Sequence, residues 1–418
     1  MTPGSLRRLR RAAFAAFLVA LALITGPVSG AQPCTDRACQ SAGRVRWSRP
    51  LPGTWVAGPG QEGTVPAQGS AYAALNHAVA AVGIGSVVYA YGSRTGVPRW
   101  TADLARLGAG ARVVAIRVWS AVVTAGVDVP AGPGGTVIRR EVVLSAATGR
   151  LLRSFPAAPF GGAVSASRRH TVIVGSTAVT SYDDTTGAVT WSRRTGPSAQ
   201  AWRRDRTVLY MAVATGGYLS GAPVRELRRI NLRTGAQQLV RPAGRSFSGQ
   251  LNRVLDGVAV FTDSHGTVGY SGRTGARLWR RNGAVPALAD PGGHLLYLSY
   301  GATLTGIDPW TGHTEVHVAG GSAAGTSAFY AARDGVVLGL DPGSQGDAYG
   351  YGPADGRVLW TNPALPWPHF FVDLSGIGGS AGPWSTAVLL AVCGQTGAAV
   401  PGGSGQVCLK PELTALNW

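Results

Sequence analysis

A short motif that recurs along almost the whole chain limits its fold more than any other feature. Residues 181–191 read SYDDTTGAVTW. This is the end of one strand, a tight turn through Thr185, Thr186 and Gly187, and the start of the next strand, with Trp191 as a large apolar anchor. Gly187 supplies the positive φ that such a turn needs. Related turns stand at residues 93–100 (SRTGVPRW), 146–153 (AATGRLLR), 232–239 (LRTGAQQL), 272–279 (GRTGARLW), 309–316 (PWTGHTEV) and 353–360 (PADGRVLW).

Two partial copies frame these seven. Residues 43–47 (GRVRW) are the second half of the unit, and residues 413–418 (LTALNW) are the first half. One broken copy at each end predicts a chain that closes on itself. The N-terminal segment then adds the outermost strand to a last sheet whose other three strands come from the C-terminus. The expected fold is all-β: an eight-bladed β-propeller of four-stranded antiparallel blades over residues 43–418, at about 47 residues per blade, with seven blades as the alternative. Sixty-one glycines and a charged fraction of only 14% suit many short strands joined by turns.

The motif resembles the pyrroloquinoline-quinone-type (PQQ-like) β-propeller repeat: an acidic strand end, a Thr-Gly turn and a Trp four residues after the Gly. That spacing is kept at Gly43/Trp47, Gly96/Trp100, Gly187/Trp191, Gly275/Trp279 and Gly356/Trp360. The copies at Gly149, Gly235 and Gly312 carry Arg153, Leu239 and Val316 where the Trp would be, and those blades are expected to dock less tightly. The family includes quinone-dependent dehydrogenases and cofactor-free propellers such as the outer-membrane assembly lipoprotein. In the dehydrogenases the cofactor is stacked beside adjacent cysteines, calcium and a catalytic Asp, a set this sequence does not supply. The resemblance therefore implies a binding scaffold with no cofactor and no catalytic residue; PQQ with calcium is the alternative.

Residues 1–31 read as a signal peptide. Arg7, Arg8, Arg10 and Arg11 form a basic start, an apolar run follows, and Val28, Ser29, Gly30 and Ala31 suit a signal-peptidase site. Export, to the envelope or beyond it, is the expectation, with an uncleaved anchor as the alternative. The short segment before the basic cluster argues against a sensor with a cytoplasmic output domain. After export, thiols are oxidised. Cys34 and Cys39 lie in an N-terminal lead (32–42), and Cys393 and Cys408 near the other end. Three pairings are possible; local pairing within each end is favoured, because Cys393 and Cys408 flank one loop.

The formal net charge is +18, and Lys410 is the only lysine among the basic residues. Arginine pairs such as Arg139/Arg140, Arg203/Arg204, Arg228/Arg229 and Arg280/Arg281 are spread over several blades. They read first as a solvated rim and second as a surface attracted to anionic polymers or a membrane surface. With no clustered basic stripe or interleaved aromatics, nucleic acid is not expected as a partner.

Apolar runs at residues 79–82, 121–125, 171–175, 208–213, 258–262, 294–299, 336–340 and 387–393 mark the second strand of each blade. The connection after this strand is short in four blades and long at residues 126–136, 215–223, 341–346 and 394–410. Equivalent loops emerge on one face of a propeller, so this face is the expected binding surface for a protein, peptide or anionic envelope polymer. Its candidate contacts are Tyr218, Leu219, Asp341, Gln345 and Asp347. Asp341 and Asp347 lack the pattern of an EF-hand loop. Asp183 and Asp184 read as turn caps, the run Asp263, Ser264, His265 as a polar turn, and His313 and His317 as rim residues too far apart for one metal ion. The chain is expected to act as a monomer.

Overall fold

The structure, a computed structural model, describes residues 45–52, 55–57, 71–76, 78–119, 121–131, 136–156, 162–167, 169–175, 178–195, 199–214, 223–244, 246–290, 294–300, 303–318, 328–333, 336–341, 347–351, 358–362, 387–393, 396–399, 406–408 and 411–417. From residue 328 onward the description is of backbone, apart from Val337 and residues 412–415.

Strands β1 (Val45–Pro50) and β2 (Trp55–Ala57) come first. Seven four-stranded antiparallel sheets then follow in chain order. The first holds β3 (Ala71–Leu75), β4 (Val79–Ile84), β5 (Val87–Gly92) and β6 (Pro98–Asp103), and the second β7 (Arg112–Val118), β8 (Val122–Pro130), β9 (Val137–Ser145) and β10 (Leu151–Pro156). The third holds β11 (Gly162–Ser167), β12 (His170–Val174), β13 (Ala178–Asp183) and β14 (Val189–Arg194), and the fourth β15 (Ala199–Asp205), β16 (Val208–Ala214), β17 (Val224–Asn231) and β18 (Gln237–Val240). The fifth holds β19 (Gln250–Leu255), β20 (Val258–Asp263), β21 (Gly266–Ser271) and β22 (Arg277–Asn282), and the sixth β23 (Val285–Asp290), β24 (Leu295–Tyr300), β25 (Thr303–Ile307) and β26 (Thr314–Val318). The seventh holds β27 (Ala328–Arg333), β28 (Val336–Asp341), β29 (Asp347–Tyr351) and β30 (Val358–Asn362). Every sheet is a plain meander, each strand paired with the next in sequence.

The last elements are β31 (Ala387–Cys393), β32 (Thr396–Ala399), β33 (Gln406–Cys408) and β34 (Pro411–Asn417). Strand β34 pairs on one side with β31 and on the other with β1, across which Trp47 faces Ala415 and Ser48 faces Thr414. Side chains follow the backbone there: the Ser48 hydroxyl bonds Glu412 at 2.6 Å and Thr414 at 2.9 Å. First strands of neighbouring sheets lie side by side, β3 against β7, β15 against β19, β19 against β23 and β23 against β27, while β31 lies against β3. Consecutive four-stranded meanders that meet through their first strands, with the two ends of the chain in one sheet, are the architecture of a β-propeller.

Burial explains why the second strands read as continuous apolar runs. Those whose side chains are described are covered by the neighbouring sheets, so β4 is buried from Val79 to Gly83 and β20 from Val258 to Phe261. The fourth strands are edges, and β6, β14 and β18 stay largely in solvent. Each apolar cluster accordingly spans sheets: Val88 and Ala90 of the first pack with Val113, Ile116 and Val142 of the second, and Leu296 and Leu298 of the sixth with Val258 and Val260 of the fifth.

Two connections differ from their sequence reading. The supposed loop after residue 126 is largely strand, because β8 and β9 stay paired out to Pro130 and Val137. The segment 394–410 contains β32 and β33, and β33 also pairs with β2, setting Trp55 opposite Cys408. Backbone pairing between the chain's two ends thus runs through the segment read as an open loop. Cys34 and Cys39 lie outside the described residues, and Cys393 and Cys408 are described there by backbone alone.

Candidate functional site

The recurring turn joins the third and fourth strands of a sheet. In each copy among the described residues a backbone N–H four residues before the Gly donates to the carbonyl just after it, and the Gly N–H donates back, as in Asp183 N–H to Ala188 at 2.9 Å and Gly187 N–H to Asp183 at 2.8 Å. Asp183, Asn231 and Asp308 cap the turn through their side chains, each accepting from two backbone N–H groups. The bonds from the Thr186 and Thr185 N–H groups hold the Asp183 carboxyl below its ordinary range. Asp184 does something else: its carboxylate accepts from the Thr171 hydroxyl at 3.1 Å, so it is no part of the cap.

The tryptophans of the repeat join one sheet to the next. Trp47, Trp100 and Trp191 lie flat against Gly96, Gly149 and Gly235 of the following sheet, and Trp279 against Gly312, so close that any Cβ at those glycines would clash. Three of the indoles also donate Nε1–H to a carbonyl of that turn: Trp47 to Ser93 at 2.9 Å, Trp100 to Ala146 at 2.9 Å and Trp279 to Pro309 at 2.7 Å. Two residues further on, Arg49, Arg193 and Arg281 donate to the carbonyls of Gly96, Gly235 and Gly312. Trp360 is described by backbone only.

Where the Trp is missing the outcome is not uniform. Arg153 takes its place, setting its guanidinium 4.5 Å from the centre of the Tyr182 ring and directly against Gly187. That contact corrects the expectation of a loose dock at this junction. Leu239 remains 49% exposed, and the backbone of Arg241 covers Gly275 instead.

In a meander, the first–second and third–fourth turns share one edge, and the second–third turns lie at the other. Bonds such as Leu232 N–H to Thr207 and Gly272 N–H to Gly257 tie the two turns of one edge together. On this edge the fourth, fifth and sixth sheets converge on Asp256. Its Oδ1 accepts from Arg206 Nη2 at 2.9 Å, its Oδ2 lies 2.6 Å from His294 Nδ1, and its backbone carbonyl accepts from Trp310 Nε1 at 3.1 Å. Beside it, Gly257 N–H donates to Asp205 Oδ2 at 2.6 Å, and the Trp310 indole lies over Gly257. Burial pushes the Asp205 carboxyl up, and the Asp256 charge adds to the push.

Arg206, Asp256 and His294 occupy equivalent first–second turns and are the non-glycine residues with positive φ among the described residues, at +50°, +50° and +54°. A left-handed backbone costs an L-residue roughly 1–2 kcal/mol, so three in contact mark a place where side-chain interactions hold the strain. Asp256 is tucked in at 14% exposure, whereas Arg206, His294 and Trp310 are 69%, 61% and 45% exposed. The outward groups are the Arg206 guanidinium and the His294 ring beside an aromatic face.

Charged groups are also built into the inner strands. Arg204 stands over Trp119, 5.0 Å from its ring, and burial lowers its pKa to about 10. Arg253 is likewise lowered to about 10, by burial and then by Arg203. Glu141 is buried, 3.6 Å from Arg117, and desolvation drives its carboxyl above the ordinary range despite Arg117 and the Ala163 N–H.

Tyr218, Leu219 and Gln345, read as contacts on the long-loop face, lie outside the described residues. Asp341 and Asp347 are opposed across the β28–β29 hairpin, as backbone only. On that same edge Asp263 caps its own turn through the His265 N–H at 2.8 Å and binds Arg280 at 3.0 and 3.1 Å, a solvated polar turn. The sequence reading passed over the Asp256 cluster. One signal was available in the repeat register: at the turn position of Trp310 the other copies hold Arg94, Ala147, Thr185, Arg233, Arg273 and Ala354.

No protein-family model matches the chain, and no curated protein matches it. Solved structures do resemble it. BamB from Moraxella catarrhalis is 17% identical, with a TM-score of 0.41 over 69% of this chain and 80% of that one. Kluyveromyces lactis Hsv2 is 9% identical, with a TM-score of 0.45 over 70% and 98%. A chain of the Mitotic Checkpoint Complex is 11% identical, with a TM-score of 0.40 over 94% and 99%.

Proposed function

We propose that this chain is an exported, non-enzymatic β-propeller that serves as a binding scaffold in the cell envelope or outside the cell. The observation that carries this reading is the convergence of three sheets on Asp256, which holds an indole, a guanidinium and an imidazole in solvent on a rigid turn edge. Rigid scaffolds presenting exposed aromatic and arginine side chains are suited to recognition, because little side-chain freedom is lost on binding. The signal-like residues 1–31 and the +18 charge support an envelope setting and attraction to anionic partners.

The test is capture of envelope components by the purified mature chain, residues 32–418, with titration by pyrroloquinoline quinone and calcium followed through tryptophan fluorescence. The scaffold reading expects a reproducible envelope ligand and no saturable quinone binding. One quinone bound per chain in a calcium-dependent way replaces it with a dehydrogenase reading.

A further inference from the structure

We propose that the Asp256 cluster is a subsite for an acidic saccharide chain, one bearing carboxylates on its sugar rings. The proposal rests on the scaffold reading above and gives it a ligand class. Trp310 is the aromatic of the site. Its backbone N–H is fixed by Asp308 at 3.0 Å and its Nε1–H by the Asp256 carbonyl at 3.1 Å, so the ring is held at both ends while 45% of the residue stays in solvent. A fixed, half-exposed indole is a platform for the C–H face of a sugar ring.

The polar groups beside it have one sense. Both carboxylate oxygens of Asp256 are already engaged, one by Arg206 and one by His294. What faces outward is the remaining N–H donors of the Arg206 guanidinium, on a side chain 69% exposed, with the His294 ring, 61% exposed, beside them. Donors around an aromatic platform match a ligand rich in acceptor oxygens, and a guanidinium matches a carboxylate in shape as well as in charge. Without the four arginines of residues 1–31 the net charge is 18 − 4 = +14, and at the site Arg204 donates to the Arg206 carbonyl at 2.6 Å while the Asp205, Asp256 and Asp308 carboxylates are each engaged by N–H groups of the protein. An extended polyanion gains from such a field along its length.

The experiment measures binding of sodium polygalacturonate and of neutral dextran to the mature chain and to three variants, by calorimetry at low and at physiological salt. Trp310→Ala places a residue that the turns at Ala147 and Ala354 already carry, and Arg206→Gly relieves a left-handed backbone, so both fold. Arg233→Ala removes a charge from the equivalent turn of the fourth sheet, away from the Asp256 bonds.

The wild type is expected to prefer polygalacturonate to dextran, Trp310→Ala and Arg206→Gly to weaken it by about tenfold or more, and Arg233→Ala to change it little. Equal weakening in Arg206→Gly and Arg233→Ala means non-specific charge attraction and overturns the site, as does unchanged binding in Trp310→Ala. Preference for dextran overturns the acidic ligand class. If envelope capture persists while polygalacturonate fails to bind, this subsite is wrong and the scaffold reading stands; loss of both removes the scaffold reading too.

Discussion

Gly235 shows how much a single atom matters in this fold. It has φ +68° and a Cβ there would sit 2.6 Å from the Trp191 ring, whereas Gly85 has φ +56° and open space around it. Gly85→Ala therefore isolates the backbone cost, about 1 kcal/mol, and Gly235→Ala adds displacement of the indole, for a total of about 2–4 kcal/mol. Urea denaturation of the two variants should rank them in that order. Glu141 makes a pH prediction. Its folded pKa is raised by burial, so its contribution to folding is most favourable below the ordinary carboxylate pKa and is lost as pH rises through the folded value. Glu141→Gln should flatten the fall in stability above about pH 4.5 and leave the protein at least as stable at pH 7. Thermal melts across pH 4 to 8 read this directly, and an unchanged slope would mean that Glu141 is not the titrating group.

At the level of the element, the junction between sheets is the unit of stability. Trp47, Trp100 and Trp279 combine apolar contact with an N–H bond to the next turn, whereas the Trp191 Nε1 has no partner among the described residues. Trp279→Ala should cost about 3–5 kcal/mol, the usual range for a large buried aromatic. Arg153 and Leu239 hold the same repeat position with different outcomes, so they provide a controlled comparison. Arg153→Ala, which strips the cover from Tyr182 and Gly187, should lower the melting midpoint by about 1–2 °C. Leu239→Ala should change it by less, since Leu239 is largely in solvent. The reverse order would show that the guanidinium contributes nothing to docking.

For the whole molecule the decisive event is the meeting of the chain ends in one sheet. Strand β1 covers the outer edge of β34, and its Trp47 is buried against the first sheet. Deleting residues 1–51 should remove Trp47 and Leu51 from the core at about 1.5–3 kcal/mol each and expose a bare strand edge. A lower, less cooperative thermal transition with concentration-dependent aggregation is the expected result, checked by calorimetry and light scattering. An unchanged melt would show that the closing strand is dispensable.

The sequence by itself determined the all-β class, the repeat register and the places of the second strands, because those depend on local rules: a glycine at positive φ, a capping Asp or Asn, and an apolar run wherever a strand is covered on both faces. The apolar run at 387–393 coincides with β31, and the run at 258–262 falls one residue short of the end of β20. Only the tertiary structure decided what lies between sheets. That Arg153 can replace a Trp depends on Tyr182, which belongs to the next repeat; that the segment 394–410 holds strands depends on β2, more than three hundred residues earlier. Asp256 looks in sequence like an ordinary turn residue. It becomes a hub because the first–second turns of three sheets come together around it, and contacts between residues so far apart in the chain leave no local periodicity to read.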